Sequence, residues 1–283
     1  MIGATPHDTG PKALAAQALV ALVEAARLGG EIALRDFRRG AQTAARIEYK
    51  DGGSPVTSAD IAVDAFLRAR LRARFPDAGW LSEETVDDPA RLAKASLIIA
   101  DPIDGTRGYV AGDERWAVSI AYAIEGIVVA GVVHAPALGQ TFAASLGGGA
   151  TLNGSPIRAT TRTDLAGARI GGPSPLVAAL ASAASAALVT EPKIPSLAYR
   201  LARVANASLD GALAATDSHD WDIAGADIIL SEAGARLTDI DGRPPGYNKR
   251  ETTHGVLAAA PLALLDPLTQ ALRRALAEGR HGT

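Results

Sequence analysis

The chain of 283 residues contains no cysteine. Disulfides, zinc–cysteine centres and thiol catalysis are thereby excluded, and the composition suits a reducing compartment. Nor is there a basic excess: 28 lysines and arginines stand against 31 aspartates and glutamates, a net charge of −3. Binders of nucleic-acid polymers concentrate basic residues on one face, so such a partner is not expected. No uninterrupted apolar run approaches the roughly 18 residues that span a bilayer. The opening segment, MIGATPHDTG, lacks an apolar signal core. A cytoplasmic protein without a membrane span is expected. Aromatic residues make up only 4%, while hydrophobic residues reach 48%, so disorder is excluded for most of the chain.

What is present alternates between helical and extended patterns. Leu14, Leu19, Leu22, Val23 and Ala26 predict a helix over 12–37, weakened in its middle by Gly29-Gly30. Lys50 to Pro55 reads as a turn-forming loop. Thr57-Ser58-Ala59-Asp60 has the form of a capping box that opens a helix through Phe75. Short strands are expected at 80–82 and 97–100, and an antiparallel meander at 118–122, 127–133 and 140–144. The second half alternates: strand 169–171, helix 175–188, strand 187–190, helix 196–210, strand 212–215 and helix 221–233, with Gly234 as its C-terminal cap. A last helix is expected from an Asp266 cap and Pro267 through 277. The pattern is that of a layered α/β protein with a leader over 1–11 and two lobes, 12–150 and 151–283.

The chemistry concentrates at Asp101-Pro102-Ile103-Asp104-Gly105-Thr106, which follows a buried strand directly. Two carboxylates beyond a strand end can cap a turn. They can also converge on a hard cation, with free N–H groups at Gly105 for an anion. Glu83-Glu84 ends the preceding strand and can bring a third carboxylate beside them. Like charges packed together repel unless a divalent ion neutralises them, and all-oxygen ligands point to Mg²⁺ or Mn²⁺. Asp222, beginning an apolar helix, reads by itself first as an N-terminal cap and second as a member of this site, and Asp60, closing the capping box, has the same ambiguity.

Together these segments resemble the inositol monophosphatase superfamily of Mg²⁺-dependent, often lithium-sensitive phosphatases. The matching pieces are Ser54 to Asp60, Glu83-Glu84, Asp101 to Thr106, and Trp221-Asp222-Ile223-Ala224-Gly225-Ala226. The resemblance implies an α+β layered sandwich with alternating layers of helix and sheet, as in fructose-1,6-bisphosphatase. It places the main metal site in the first lobe and its completion in the second. It implies two or three Mg²⁺ ions, held by Glu83, Asp101, the Ile103 carbonyl, Asp104 and Asp222, with Asp60 in the shell of a further ion. Thr106 and Glu83 would orient the attacking water, and Gly105 and Thr106 would hold the substrate phosphate by their N–H groups. A homodimer acting on a small phosphorylated metabolite is implied as well.

The family's inositol phosphatases carry a glutamate six residues before the tryptophan of Trp-Asp. This chain has Ala215 there. Gly105-Thr106-Arg107-Gly108-Tyr109 is instead similar to the form in 3′(2′),5′-bisphosphate nucleotidases of the CysQ type, as is Ser196-Leu197. Adenosine 3′,5′-bisphosphate is thus the expected substrate, with Arg107, Ser196 and Arg200 among the contacts. A second phosphate needs a basic partner, for which Arg107, Arg200 and Lys249 are candidates. Inositol 1-phosphate, a broad range of monoesters and histidinol phosphate are the alternatives. A haloacid-dehalogenase-type phosphatase would need DxDxT, one residue shorter than this spacing. A metal- and phosphate-sensing module that has lost its chemistry is a further alternative.

Overall fold

The computed structural model describes residues 10–279. Most of the leader expected over 1–11 lies outside the described residues, and Pro11 already opens the first helix. The N-terminal half begins with α1 (Pro11–Leu34), the hairpin β1 (Ile47–Tyr49) and β2 (Pro55–Thr57), and α2 (Ser58–Arg74). Then come β3 (Gly79–Ser82), β4 (Ser96–Asp104), the short α3 (Thr106–Ala111), β5 (Ala117–Ile124), β6 (Ile127–Ala135), β7 (Gln140–Ser145), β8 (Gly149–Leu152) and β9 (Ser155–Pro156). Strands β3 to β9 form one seven-stranded sheet in chain order.

The remainder is β10 (Arg169–Gly171), α4 (Ser174–Ala184), β11 (Val189–Thr190), α5 (Leu197–Ala205), β12 (Gly211–Ala214), β13 (Ser218–His219), α6 (Asp220–Glu232), β14 (Ala235–Asp239), β15 (Thr253–His254), β16 (Leu257–Pro261) and α7 (Leu262–Gly279). A five-stranded sheet runs in the order β11-β10-β12-β16-β14. Helices α1 and α2 cover one face of the large sheet. Helix α6 packs on both sheets, with α5 against it, and α7 lies on the outer side of the second sheet with α4 beside it. This is the alternation of helix and sheet layers that the sequence implies.

Strand periodicity explains the layering. In β4, Leu97 and Ile99 join the core shared with α5 and α6, whereas Ile98 and Ala100 join the core under α1 and α2. In β16, Leu257 and Ala259 face that same middle core, while Ala258 and Ala260 face α4 and α7. A strand buried on both faces needs no polar alternation, which is why β16 carried no extended signal: its alanines read as helix formers. Strand β14 was likewise not expected.

Two helices differ from their predicted form. Helix α7 starts at Leu262 rather than at an Asp266 cap, with Pro267 inside it. Its buried stripe, Leu264, Leu268, Ala271 and Leu272, begins before the proline, and Asp266 instead accepts a hydrogen bond from Gln270 at 2.8 Å. Helix α1 runs unbroken through Gly29-Gly30, both of which are buried. By length and mean hydropathy (1.3) it is apolar enough to cross a membrane, although no uninterrupted apolar run suggested it. Its buried residues Ala18, Leu22, Ala25 and Ala26 belong to a face packed on β6 and α2.

Close approach of α6 to the large sheet rests on a pair of glycines. A Cβ on Gly225 would lie 2.6 Å from Ser119 Oγ, and one on Gly131 of β6 would lie 2.6 Å from the Gly225 carbonyl oxygen. With neither Cβ present, the first turn of α6 reaches the end of β4.

Candidate active site

The predicted capping box is realised. Asp60 Oδ2 accepts the Thr57 backbone N–H at 2.8 Å and the Thr57 hydroxyl at 2.5 Å, and Thr57 Oγ1 accepts the N–H of Asp60 at 3.3 Å. The other oxygen, Oδ1, lies 3.1 Å from the Thr106 hydroxyl, which is also 3.0 Å from the Ile103 carbonyl oxygen. Asp60 thus caps its helix and faces the DPIDGT segment at once. Burial raises its carboxyl to about 6 against the opposing pull of the Thr57 and Thr106 bonds.

The strand expected over 97–100 does not end at residue 100: Asp101 to Asp104 prolong β4. Pairing with β5 slips between Asp101, opposite Ser119, and Asp104, opposite Ala117. Residues three apart in a regular strand point to opposite faces; the bulge resets the alternation so that both carboxylates converge. Gly105 then turns the chain at φ 90°, and a Cβ there would meet the Ser196 nitrogen at 2.8 Å.

Carboxylate oxygens of Asp101, Asp104 and Asp222 all lie within 4.8 Å of one another. Asp222 arrives from the first turn of α6, where its Oδ2 accepts the His219 N–H at 2.7 Å. As with Asp60, the capping role and membership of the cluster coexist. Parallel register places Ser82 beside Ala100, so that Glu83 emerges next to Asp101. Burial, followed by the charges of Glu83, Asp104 and Asp222, drives the Asp101 carboxyl well above its ordinary value. Burial and Asp104 do the same to Asp222. Asp104 rises to about 6 through burial, opposed by hydrogen bonds from Ser196, Ala198 and Leu197. Four crowded carboxylates offering only oxygen donors fit a hard divalent cation, which would remove the repulsion that otherwise favours protons.

A cavity of about 440 Å³ opens from this cluster. Glu83, Asp101, Asp104, Gly105, Thr106, Arg107 and Asp222 line it, whereas Asp60 and Ile103 are not among its lining residues. Ser196 and Arg200 are not among its lining residues. Ser196 is fully buried and gives its hydroxyl to Asp104 Oδ2 at 2.5 Å; the reason is its second duty as N-cap of α5. Arg200 is buried too, and its Nη1 donates to the Ile194 carbonyl at 3.1 Å. Lys249 is exposed and also stands outside the lining.

Three residues of the region were missed. Lys50 bonds Glu83 at 2.9 Å and Glu84 at 2.8 Å. Burial pulls its ammonium down, but the two glutamates outweigh it and hold the pKa above the ordinary value. Asp64 of α2 accepts the hydroxyls of Ser82 and Thr85, on either side of Glu83-Glu84. Lys193 lines the cavity. Only Lys50 carried a local signal, standing beside a Gly-Gly turn; the others depend on which segments pack together.

Similarity to known proteins makes the chain a phosphomonoester hydrolase. The model of the inositol monophosphatase family matches residues 15–277, and the chain belongs to that family, whose enzymes are metal-dependent. It is 32% identical over 245 residues to the 3′(2′),5′-bisphosphate nucleotidase CysQ of Aggregatibacter actinomycetemcomitans, covering 82% of this chain and 87% of that one. It is 31% identical over 274 residues to inositol monophosphatase 3 of Solanum lycopersicum, covering 90% and 96%. Among solved structures, the inositol monophosphatase of Thermotoga maritima superposes with a TM-score of 0.81 at 26% identity, covering 93% of this chain and 99% of that one.

Proposed function

We propose that the chain is a 3′(2′),5′-bisphosphate nucleotidase that hydrolyses adenosine 3′,5′-bisphosphate to AMP and phosphate. The observation that carries the reading is the convergence of Asp101, Asp104 and Asp222 from two separate elements in the lining of a cavity that also holds basic side chains. Glu83, Asp101, the Ile103 carbonyl, Asp104 and Asp222 would hold the divalent ions, Mg²⁺ or Mn²⁺. Bound there, a divalent ion supplies charge neutralisation at the phosphoryl group and an acidified water.

The chain's own groups orient that water. Thr106 has one hydroxyl proton and two acceptors within reach, Asp60 Oδ1 and the Ile103 carbonyl. Giving the proton to either leaves its lone pairs directed away from them, ready to accept from water. Glu83, at the cavity wall, accepts the second hydrogen bond. Backbone N–H groups of Gly105 and Thr106 bind phosphoryl oxygens, and Arg107 contacts the nucleotide. Ser196 acts through Asp104 rather than on the substrate. The enzyme works in the cytoplasm as a homodimer, a reading that rests on the family resemblance and on the absence of cysteine.

Ala215, exposed just after β12, supports the nucleotide over inositol, because it offers no acceptor to a ring hydroxyl. Inositol 1-phosphate is the second reading, favoured by the inositol monophosphatase relative of nearly equal identity. Phosphate release from adenosine 3′,5′-bisphosphate, inositol 1-phosphate, histidinol phosphate and fructose 1,6-bisphosphate, with Mg²⁺ and with EDTA, tests the choice. The nucleotide is expected to show the highest kcat/KM, abolished by EDTA. A higher value for inositol 1-phosphate would overturn the assignment.

A further inference from the structure

The cavity lining carries both signs of charge. Glu83, Asp101, Asp104 and Asp222 supply its acid cluster, and the remaining charged lining is Arg107, Asp113 and Lys193. Asp113 is already neutralised: Arg115 bonds it through Nε at 2.8 Å and through Nη2 at 2.5 Å. Arg107 spends one N–H on the Gly53 carbonyl at 2.9 Å and has no carboxylate partner among the described residues. Lys193 has no ion pair or hydrogen bond among the described residues and is exposed to the cavity. Besides the acid cluster, then, the lining presents two positive charges without an ion-pair partner among the described residues.

Lys193 is a free side chain on a fixed backbone. The next residue, Ile194, is buried, and its carbonyl accepts the Arg200 hydrogen bond. Pro195 packs so closely on α3 that a Cβ on Gly108 would lie 2.6 Å from its ring. Arg200, not in the cavity itself, therefore holds the strap that presents Lys193. A backbone pinned in this way lowers the ordering cost of a contact made by the side chain.

We infer that Lys193, with Arg107, forms a subsite for a second anionic group, selecting phosphate esters that carry a negative charge away from the scissile one. The inference rests on hydrolysis at the acid cluster and deepens the nucleotide reading. A cationic pair beyond the reacting phosphate discriminates through the charge-assisted hydrogen bonds that a monoester cannot make.

The test is the ratio of kcat/KM for adenosine 3′,5′-bisphosphate to that for adenosine 3′-phosphate, which differ only in the distal phosphate. Lys193→Gln should lower this ratio by about tenfold or more, and Lys193→Arg should keep it within about threefold. Lys249→Gln, at an exposed residue outside the cavity lining, should leave it unchanged. An unchanged ratio in Lys193→Gln overturns the inference, as does a wild-type ratio near one, which would leave the phosphatase itself standing. The same comparison with fructose 1,6-bisphosphate and fructose 1-phosphate separates the two ideas. A Lys193-dependent ratio for the sugars without nucleotide turnover would retain the subsite and discard the nucleotide.

Discussion

Ser196 donates its hydroxyl to Asp104 Oδ2 across 2.5 Å, and the N–H of Ala198 reaches the same oxygen at 2.6 Å. The first turn of α5 thus grips a carboxylate of the acid cluster. Ser196→Ala removes this bond and the N-cap together, at a cost of about 1–2 kcal/mol in stability. The Mg²⁺ concentration for half-maximal activity should rise, with the substrate KM at saturating Mg²⁺ little changed. A metal titration at fixed substrate, paired with a substrate titration at saturating metal, checks this. A raised KM with an unaltered metal requirement would return Ser196 to the substrate.

Asp64 clasps the turn that bears Glu83 and Glu84. One carboxylate oxygen takes the Ser82 hydroxyl and the other takes Thr85 at 2.7 Å, while Trp80 Nε1 donates to Thr85 at 3.3 Å. Asp64→Leu leaves two hydroxyls without their acceptor and should destabilise the fold by about 2–4 kcal/mol. The surviving folded enzyme should need more Mg²⁺, because Glu83 loses its fixed direction. Combining Asp64→Leu with Ser82→Ala should add little to the metal requirement; full additivity would refute the clasp.

Much of this was legible in local sequence. The Thr57–Asp60 box, the buried run before Asp101 and the glutamates after Ser82 act over a few residues, so pattern and capping chemistry expose them. What was not legible depends on distant partners. The alanines of β16 become a strand because two helical layers bury them. Ser196 was taken for a substrate contact because sequence order cannot show that Asp104 lies against α5. Gly131 and Gly225 acquire their meaning only when α6 meets β6. Lys193 looks like any surface lysine until Arg200 and Pro195 fix its backbone.

Stability should depend on pH through His134. Burial pushes its imidazole down to about 4, and Nδ1 lies 3.2 Å from the Gln140 carbonyl and 3.0 Å from Thr141 Oγ1. An unfolded histidine takes up a proton near pH 6.5, which the folded one refuses until about 4. Stability contributed by neutral His134 is therefore present above about pH 6.5 and lost as the pH falls toward 4, by an amount on the order of 3 kcal/mol. Asp60, Asp104 and Asp227, raised to about 6 by burial, act in the opposite sense. The informative quantity is thus the unfolding free energy of wild type minus that of His134→Gln across this range. It should fall on acidification; a constant difference would contradict the assignment.

The central claim is that the acid cluster is a metal site used for phosphate ester hydrolysis. Asp101 tests it most cleanly, because its carboxylate's one hydrogen bond among the described residues, from the Ile103 N–H at 3.0 Å, can be kept by an asparagine oxygen. The measurement is phosphate release by wild type and Asp101→Asn as Mg²⁺ is titrated from EDTA, with melting temperatures alongside. Wild type should be inactive in EDTA and restored by Mg²⁺. Asp101→Asn should lose about a hundredfold or more in rate, roughly 3 kcal/mol of transition-state stabilisation. In EDTA it should melt no lower than wild type, since the substitution relieves a buried like charge. A folded Asp101→Asn that releases phosphate with wild-type rate and Mg²⁺ dependence would contradict the account.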